Sequence, residues 1–282
     1  MNPKEFCLRL KLQKGLGYAS IKKVIDQLGY YEEKINFDLI NELELSSDLR
    51  NKIFDAMTDV RFEKCIERIL LQCEVITIFD PIYPDKLKET FDPPIVLFAR
   101  GDLELLKKKI TVIVGSRTPT QYSRKVLQEL VPNLIKQDFV IASGLAKGVD
   151  GIAHEETLKN NGETIAVVGN GLNHFYPRQN MELQKEIIKH GLLLSEYLPD
   201  TPPLPFRFPE RNRILAGLSE NVIVTEAKKK SGSLITANLA LEANRNIFAV
   251  PGPLTSPLSE GPNYLIAAGA MPIVNSEFEN LL

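Results

Sequence analysis

The sequence predicts an α/β protein whose doubly wound, mostly parallel sheet is preceded by a small all-helical domain. Two observations predict this class. From residue 110 onward, short β-branched runs alternate with amphipathic segments of helical length. Before residue 75, apolar and charged residues recur instead at the spacing of helices. The 282 residues are enough for one large domain and one small one.

Residues 1–75 form the predicted helical domain. Apolar residues repeat along it at helical spacing, as in Leu8, Leu12 and Leu16 and then in Ile21, Val24, Ile25 and Leu28. Residues 15–20 read GLGYAS and resemble the turn of a helix-hairpin-helix or SAM-like module, whose backbone N–H groups can contact DNA phosphates. A helical packing or protein-interaction module explains the same pattern, and both interpretations stay open.

Residues 76–109 are rich in proline, with DPIYP at 80–84 and DPP at 92–94. Proline has no backbone N–H and therefore interrupts helices. We expect this stretch to be an ordered connector between the two domains.

Residues 110–282 contain the predicted sheet. Its strands are the runs ITVIVG, FVIAS, TIAVVG, LLLSE, NVIVTEA, NIFAV and PIV. Parallel strands need right-handed helical crossovers, and such sheets bind ligands in a crevice at the carboxyl ends of the strands. The loops that leave these strands therefore supply the candidate functional residues.

Composition narrows the range of functions. The net charge is −2, so affinity for nucleic acid must come from a local cluster of cations. Neither a dinucleotide-binding G-x-G-x-x-G nor a phosphate-binding G-x-x-x-x-G-K-[ST] occurs, and we expect no cofactor. Cys7, Cys65 and Cys73 fit no zinc spacing, so we expect reduced thiols and no metal. Without a signal peptide or an apolar run of membrane length, we expect a cytoplasmic protein.

Two loops at predicted strand ends combine glycine with a cation. The first strand ends in Gly115-Ser116-Arg117, after which Pro119 starts a helix. The second runs into SGLAKGVD at 143–150, which contains Lys147. Glycine lets a ligand approach the backbone, and the N–H groups at a helix start attract anions. We expect the two loops to form one anion-binding crevice.

Asp150 and His154 lie four residues apart on a predicted helix. This spacing suits a pair of metal ligands or an acid and a base. A buried hydrogen bond that ties the helix to its loop also explains it, and we favour that interpretation.

Further cations follow the later strands. Arg178 lies in the turn YPRQN at 176–180. The segment FPERNRILAGLS at 208–219 presents three polar side chains at a helix start, namely Arg211, Asn212 and Arg213. Guanidinium groups bind phosphate through two hydrogen bonds, and Phe206 or Phe208 can stack on an unpaired base.

A last polar loop follows the fifth strand. There the basic run 228–230 leads to Ser231 and Ser233, which open another helix. The serines are explained either as part of an anion site or as simple helix caps.

Taken in order, the motifs GSR, SGLAKGVD, YPRQN, FPERNRILAGLS, SGSLITA and VPGPL resemble the DNA-processing protein A (DprA/Smf) family over residues 80–275. The resemblance implies a Rossmann-like domain that is not an enzyme. It implies a homodimer that binds and protects single-stranded DNA and loads RecA recombinase onto it in natural transformation, the uptake of DNA by competent cells. Many members end in a winged-helix-like domain, and we expect none here.

Carried over position by position, the resemblance places six residues in a basic pocket, namely Ser116, Arg117, Lys147, Arg178, Arg211 and Arg213. The DNA-binding set that we expect also includes Gly115, Phe208, Asn212, Ser231 and Ser233.

Two other functions stay open. Nucleotide phosphoribohydrolases of the lysine-decarboxylase-like superfamily share this fold, but their motif P-G-G-x-G-T-x-x-E is absent and the nearest run is SGSLITA. A protein scaffold is the other alternative. Its dimer surface would use Leu234, Ile235, Leu239, Leu241 and Ile266, although crossover helices bury such residues against a sheet.

Overall fold

The computed structural model describes residues 1–29 and 34–275. Within these ranges the chain divides into two compact units. The smaller unit contains Met1–Tyr83 and Pro94–Phe98, and the larger contains Pro84–Pro93 and the described residues from Ala99 onward. Residues 276–282 of the predicted sheet domain lie outside the described residues.

The smaller unit begins with five helices. They are α1 (Pro3–Leu12), α2 (Tyr18–Leu28), α3 (Phe37–Glu42), α4 (Ser47–Thr58) and α5 (Arg61–Gln72). The side chains of Asn2, Asn36 and Ser46 accept backbone N–H groups and so cap α1, α3 and α4. Ile21, Val24, Ile25 and Leu28 of α2 are buried, as their helical spacing predicts. The five helices lie within residues 1–75, where a helical domain was expected, and the unit that contains them extends to Tyr83 and includes Pro94–Phe98.

The stretch expected as a connector contains regular structure. It includes part of β1 (Glu74–Thr77), then α6 (Asp85–Lys88), β2 (Val96–Gly101) and a 3₁₀ turn, η1 (Leu103–Lys107). The prolines lie in the turns between these elements. Residues 96–99 are buried in succession, so β2 shows no alternation of apolar and polar residues by which the sequence would reveal a strand.

The larger unit is built on a parallel sheet. Its strands are β3 (Ile110–Val114), β4 (Val140–Ser143), β5 (Thr164–Val168), β6 (Leu192–Ser195), β7 (Asn221–Val224), β8 (Asn246–Ala249) and β9 (Met271–Pro272). They lie in the order β6-β5-β4-β3-β7-β8-β9, and each neighbouring pair is parallel. The predicted doubly wound, mostly parallel sheet is confirmed, with its strands within three residues of the expected runs.

Helices connect these strands. They are α7 (Gln121–Lys136), α8 (Val149–Lys159), α9 (Met181–His190), which follows the 3₁₀ turn η2 (Arg178–Asn180), then α10 (Arg207–Leu218), α11 (Gly232–Glu242) and α12 (Glu260–Ala267). On one face of the sheet, Leu127, Val131 and Leu134 of α7 join a buried cluster with Ile113 and Ile141. Burying each such side chain stabilises the fold by about 1.5–3 kcal/mol.

The strand order creates one topological switch point. From β3 the chain moves through β4 and β5 to β6, then returns past β3 to β7 and continues to β8 on the other side. The loops after β3 and β7 therefore leave two adjacent strands in opposite directions, which opens a crevice at the carboxyl edge of the sheet.

Among the described residues, no helix has the length and apolar character needed to cross a bilayer.

Candidate functional site

A cavity of about 480 Å³ lies at this switch point, hereafter the central cavity. Three segments form most of its wall: residues 114–118 after β3, residues 205–215 around the start of α10, and residues 228–236 around the start of α11. Ala146 and Asp150 complete it. The walls thus come from loops that are far apart in sequence and that the parallel sheet brings to one edge.

Most of the expected site residues meet in the central cavity. Eight of the eleven line it, namely Gly115, Ser116, Arg117, Phe208, Arg211, Asn212, Ser231 and Ser233. The other three do not. Arg213 instead pairs with Glu196, with Nη2 2.8 Å from the carboxylate. Lys147 and Arg178 are exposed outside the wall.

Arg211 is the most buried of these cations, with 4% of its surface exposed. Its Nη1 donates to the carbonyl of Gly144 at 2.7 Å and also to that of Val167, and its Nε lies 3.2 Å from Asn212 Oδ1. A Cβ at position 144 would collide with the guanidinium, so this arrangement needs glycine there. Burial lowers the Arg211 pKa to about 10, and the charge of nearby Asp150 opposes that shift. The guanidinium therefore holds the ends of β4 and β5.

Asp150 and His154 are structural, as the favoured interpretation has it. The Asp150 carboxylate accepts the N–H groups of Gly144 at 3.1 Å and of Ala146 at 3.4 Å, which ties α8 to its loop. His154 Nδ1 lies 2.6 Å from Thr164 Oγ1, and burial lowers its pKa to about 3. Within residues 1–29 and 34–275, no three His, Cys, Asp or Glu side chains are grouped to hold a metal ion.

Glu226 shapes the loop that carries Arg117. Its buried carboxylate accepts Thr120 N–H and Oγ1–H, both at 2.7 Å, and Ser123 Oγ–H at 3.0 Å. The Glu226 carbonyl also accepts the N–H of Ser116 at 2.6 Å. These bonds fix the backbone on both sides of Arg117 and leave its side chain exposed in the central cavity.

The start of α11 closes the opposite wall. Ser233 Oγ donates to the Gly115 carbonyl at 2.9 Å, and Asn212 Nδ2 donates to the Gly232 carbonyl at 3.3 Å. Ser233 therefore links loops rather than capping its own helix. Ser231 Oγ is buried and has no hydrogen-bond partner among the described residues, and it does not cap α11 either.

Phe208 of the central-cavity wall has aromatic neighbours. Phe208 stacks on Tyr176 with centroids 5.1 Å apart and an angle of 29° between the rings. Tyr176 is 44% exposed and Phe206 is 57% exposed, so both present ring surface to solvent. The Arg207 guanidinium lies 5.5 Å from the Phe206 centroid. An unpaired base has an accessible stacking surface here.

Lys228 and Lys230 are cavity residues that were not among the predicted site residues. Both are exposed and line the central cavity. By itself the basic run 228–230 is typical of a solvated turn. One feature of the sequence indicated its role: the run lies between a predicted buried strand and a helix start, at the carboxyl edge of the sheet where binding residues were expected. Adding these lysines to Arg117 gives three exposed cations in one cavity.

The fold and the cavity define a class, a Rossmann-like α/β protein with a cationic cavity at the switch point of its sheet. The family model for DNA recombination-mediator protein A matches residues 74–281. The chain belongs to this family, which confirms the resemblance noted in its motifs.

Three curated proteins of similar sequence align with 71% to 95% of this chain. The DNA processing protein DprA of Streptococcus pneumoniae is 40% identical over 278 residues, which are 95% of this chain and 94% of that protein. The DprA protein of Bacillus subtilis is 49% identical over 209 residues, 73% of this chain and 70% of that protein. Protein Smf of Escherichia coli is 45% identical over 71% of this chain and 54% of that protein.

Two solved structures are similar as well. The X-ray structure of DNA processing protein A from Streptococcus pneumoniae matches with a TM-score of 0.88 and 36% identity, over 98% of this chain and 97% of that chain. A structure that addresses the single-stranded DNA binding mode of the Helicobacter pylori protein matches with a TM-score of 0.66 and 36% identity, over 73% of this chain and 93% of that chain.

The buried Arg211 generates a stability prediction. Replacing Arg211 with Met leaves the Gly144 and Val167 carbonyls and the Asp150 charge without their cation, and we expect the free energy of unfolding to fall by about 3 kcal/mol or more. Arg178→Met is the control: Arg178 is exposed, and its replacement should change stability by no more than about 0.5 kcal/mol. Urea unfolding measures both, and equal stability of the two variants would contradict this role.

His154 generates a pH prediction. Its folded-state pKa lies below the unfolded value of about 6.5, so its contribution to stability is present above pH 6.5 and is lost as the pH falls toward 3. Between these values the wild type should lose up to about 1.4 kcal/mol per pH unit more than His154→Gln. Urea unfolding at several pH values gives the two slopes, and parallel slopes would show that His154 is not held neutral.

Proposed function

We propose that the central cavity binds single-stranded DNA, with the sugar-phosphate backbone held by Arg117, Lys228 and Lys230. The observation that carries this proposal is that three exposed cations line one cavity and form no ion pair within the described residues. Among the lining residues the opposing carboxylate is Asp150, which is buried and bonded to backbone N–H groups. A polyanion is the ligand class that complements this charge.

The exposed rings favour a single strand over a duplex. Tyr176 and Phe206 present ring faces beside the cavity that Phe208 lines. Unpaired bases can stack on such faces, and each stacked base contributes about 1–3 kcal/mol to binding. The bases of a duplex are already stacked on one another. The similarity to the Helicobacter pylori protein, whose single-stranded DNA binding mode has been described, supports the same choice.

We propose further that the site binds its strand without chemistry. The carboxylates of Asp150 and Glu226 stabilise the fold, since Asp150 accepts backbone N–H groups and Glu226 accepts hydrogen bonds from Thr120 and Ser123. The run SGSLITA, where a nucleotide phosphoribohydrolase would carry its motif, instead supplies Ser233 to the Gly115 carbonyl. No observation favours hydrolysis of a nucleotide.

Family membership supports the wider role. We propose that a homodimer of this protein acts in the cytoplasm. It protects the bound strand and loads RecA recombinase onto it during natural transformation. Leu241, which is 68% exposed on α11, offers apolar surface to a second copy, whereas Ile235 lines the central cavity and Leu234 is buried in the fold.

Charge removal tests the cavity directly. Arg117→Gln and Lys230→Gln should each weaken binding of a labelled oligothymidylate several-fold. Each should also flatten the slope of log affinity against log salt by about 0.7, the value for one lost phosphate contact on a single strand. Fluorescence anisotropy across a salt series measures both quantities.

The matched control is Lys189→Gln. Lys189 is exposed on α9 and does not line the cavity, so this variant should keep the wild-type slope. Unchanged slopes for Arg117→Gln and Lys230→Gln would place the strand elsewhere. Failure of the wild type to bind at low salt would remove the proposal.

A further inference from the structure

A second cavity, of about 280 Å³, lies beside the central cavity, hereafter the side cavity. Its wall comes from the start of α7, the first two turns of α8, and η2. Binding pockets for drug-sized ligands are usually about 300–1,000 Å³, so the side cavity suits a single ring system rather than a whole nucleotide.

The two cavities share their loops. Residues 115–118 line the central cavity, and the chain then continues through Pro119 to the wall of the side cavity. In the next loop Ala146 lines the central cavity and Gly148 the side cavity, with the exposed Lys147 between them. The N–H of Val149 donates to the Ser116 carbonyl at 3.1 Å and fastens the loops together. A strand that leaves the central cavity over Lys147 therefore reaches the side cavity.

The side cavity contains opposite charges that do not pair with each other. Arg124 of α7 and Glu155 of α8 both line it, and neither forms an ion pair or hydrogen bond within the described part of the chain. Its wall thus offers separate groups that donate and accept hydrogen bonds. A phosphate would meet Glu155 as a like charge, so a ligand with both donors and acceptors fits better.

A buried amide adds a fixed acceptor. Asn180 is 8% exposed, and its Nδ2 donates to the carbonyls of Leu145 at 3.0 Å and Ala146 at 3.1 Å. These bonds fix the orientation of the amide, whose Oδ1 accepts no hydrogen bond from the residues that the structure describes. A Cβ at Gly151 would stand 3.3 Å from Nδ2, so glycine keeps the wall beside this amide open.

We propose that the side cavity holds one nucleobase of the bound strand and that guanine fits it best. Guanine offers O6 and N7 as acceptors for a guanidinium such as that of Arg124. Its N1–H and N2–H₂ groups are adjacent donors for Glu155 and the Asn180 Oδ1. Thymine has no exocyclic amine to donate. This inference rests on the proposed function, since the strand must first be held in the central cavity.

The test compares two labelled strands at one salt concentration, an oligothymidylate and the same strand with one central guanine. We expect wild-type protein to bind the guanine strand at least about fivefold more tightly in fluorescence anisotropy, as one good base contact allows. Glu155→Ala should abolish this preference while leaving oligothymidylate affinity within about twofold. Glu129→Ala, at an exposed acid of α7 outside the side cavity, is the control and should keep the preference.

Each contrary result has a separate meaning. Equal affinity of wild type for both strands, or a preference that survives in Glu155→Ala, overturns the guanine site while the proposed strand binding stands. Absence of binding to either strand overturns both proposals. Arg117→Gln should weaken the binding of both strands by the same factor. That result would show that the central cavity holds the backbone and the side cavity sets the base preference.

Discussion

The buried guanidinium of Arg211 lies at the ends of two strands, beside the loop that follows β4. It donates to the carbonyls of Gly144 and Val167, at the ends of β4 and β5, and its charge acts on Asp150. Asp150 in turn holds the N–H groups of the loop that follows β4. A buried charge is tolerable only when it is satisfied in this way, and the loss of either partner is costly. The wall of the central cavity depends on this cluster because the cluster sets where its loops begin.

This arrangement separates cations that build the site from cations that face its ligand. Arg211 donates hydrogen bonds to backbone carbonyl groups, and Arg213 forms an ion pair with Glu196. Arg117 and the lysines at 228 and 230 are exposed instead, on loops whose backbones are fixed by bonds such as those of Glu226. The proposed polyanion would therefore meet exposed cations on loops whose backbone is fixed, an arrangement that suits contacts to phosphates.

The sheet was predictable because β3 to β8 are short, mostly apolar runs between loop residues, and such runs can be recognised without tertiary information. The burial of the Arg211 side chain could not be predicted from the sequence. Its partners Gly144 and Val167 lie 67 and 44 residues away along the chain. Strand β2 was missed since its consecutive buried residues show no period. Lys228 and Lys230 were seen as a basic run, but their place in the wall depends on where β7 lies in the sheet.

The most direct measurement is photocrosslinking of a single strand that contains 4-thiothymine, followed by mass spectrometry of the protein. If the strand occupies the central cavity, crosslinked peptides should map to the three wall segments, residues 114–118, 205–215 and 228–236. Competition with unlabelled oligothymidylate should remove these crosslinks. Crosslinks confined to residues 1–83, or spread over the surface without competition, would contradict the assignment of the central cavity as the DNA site.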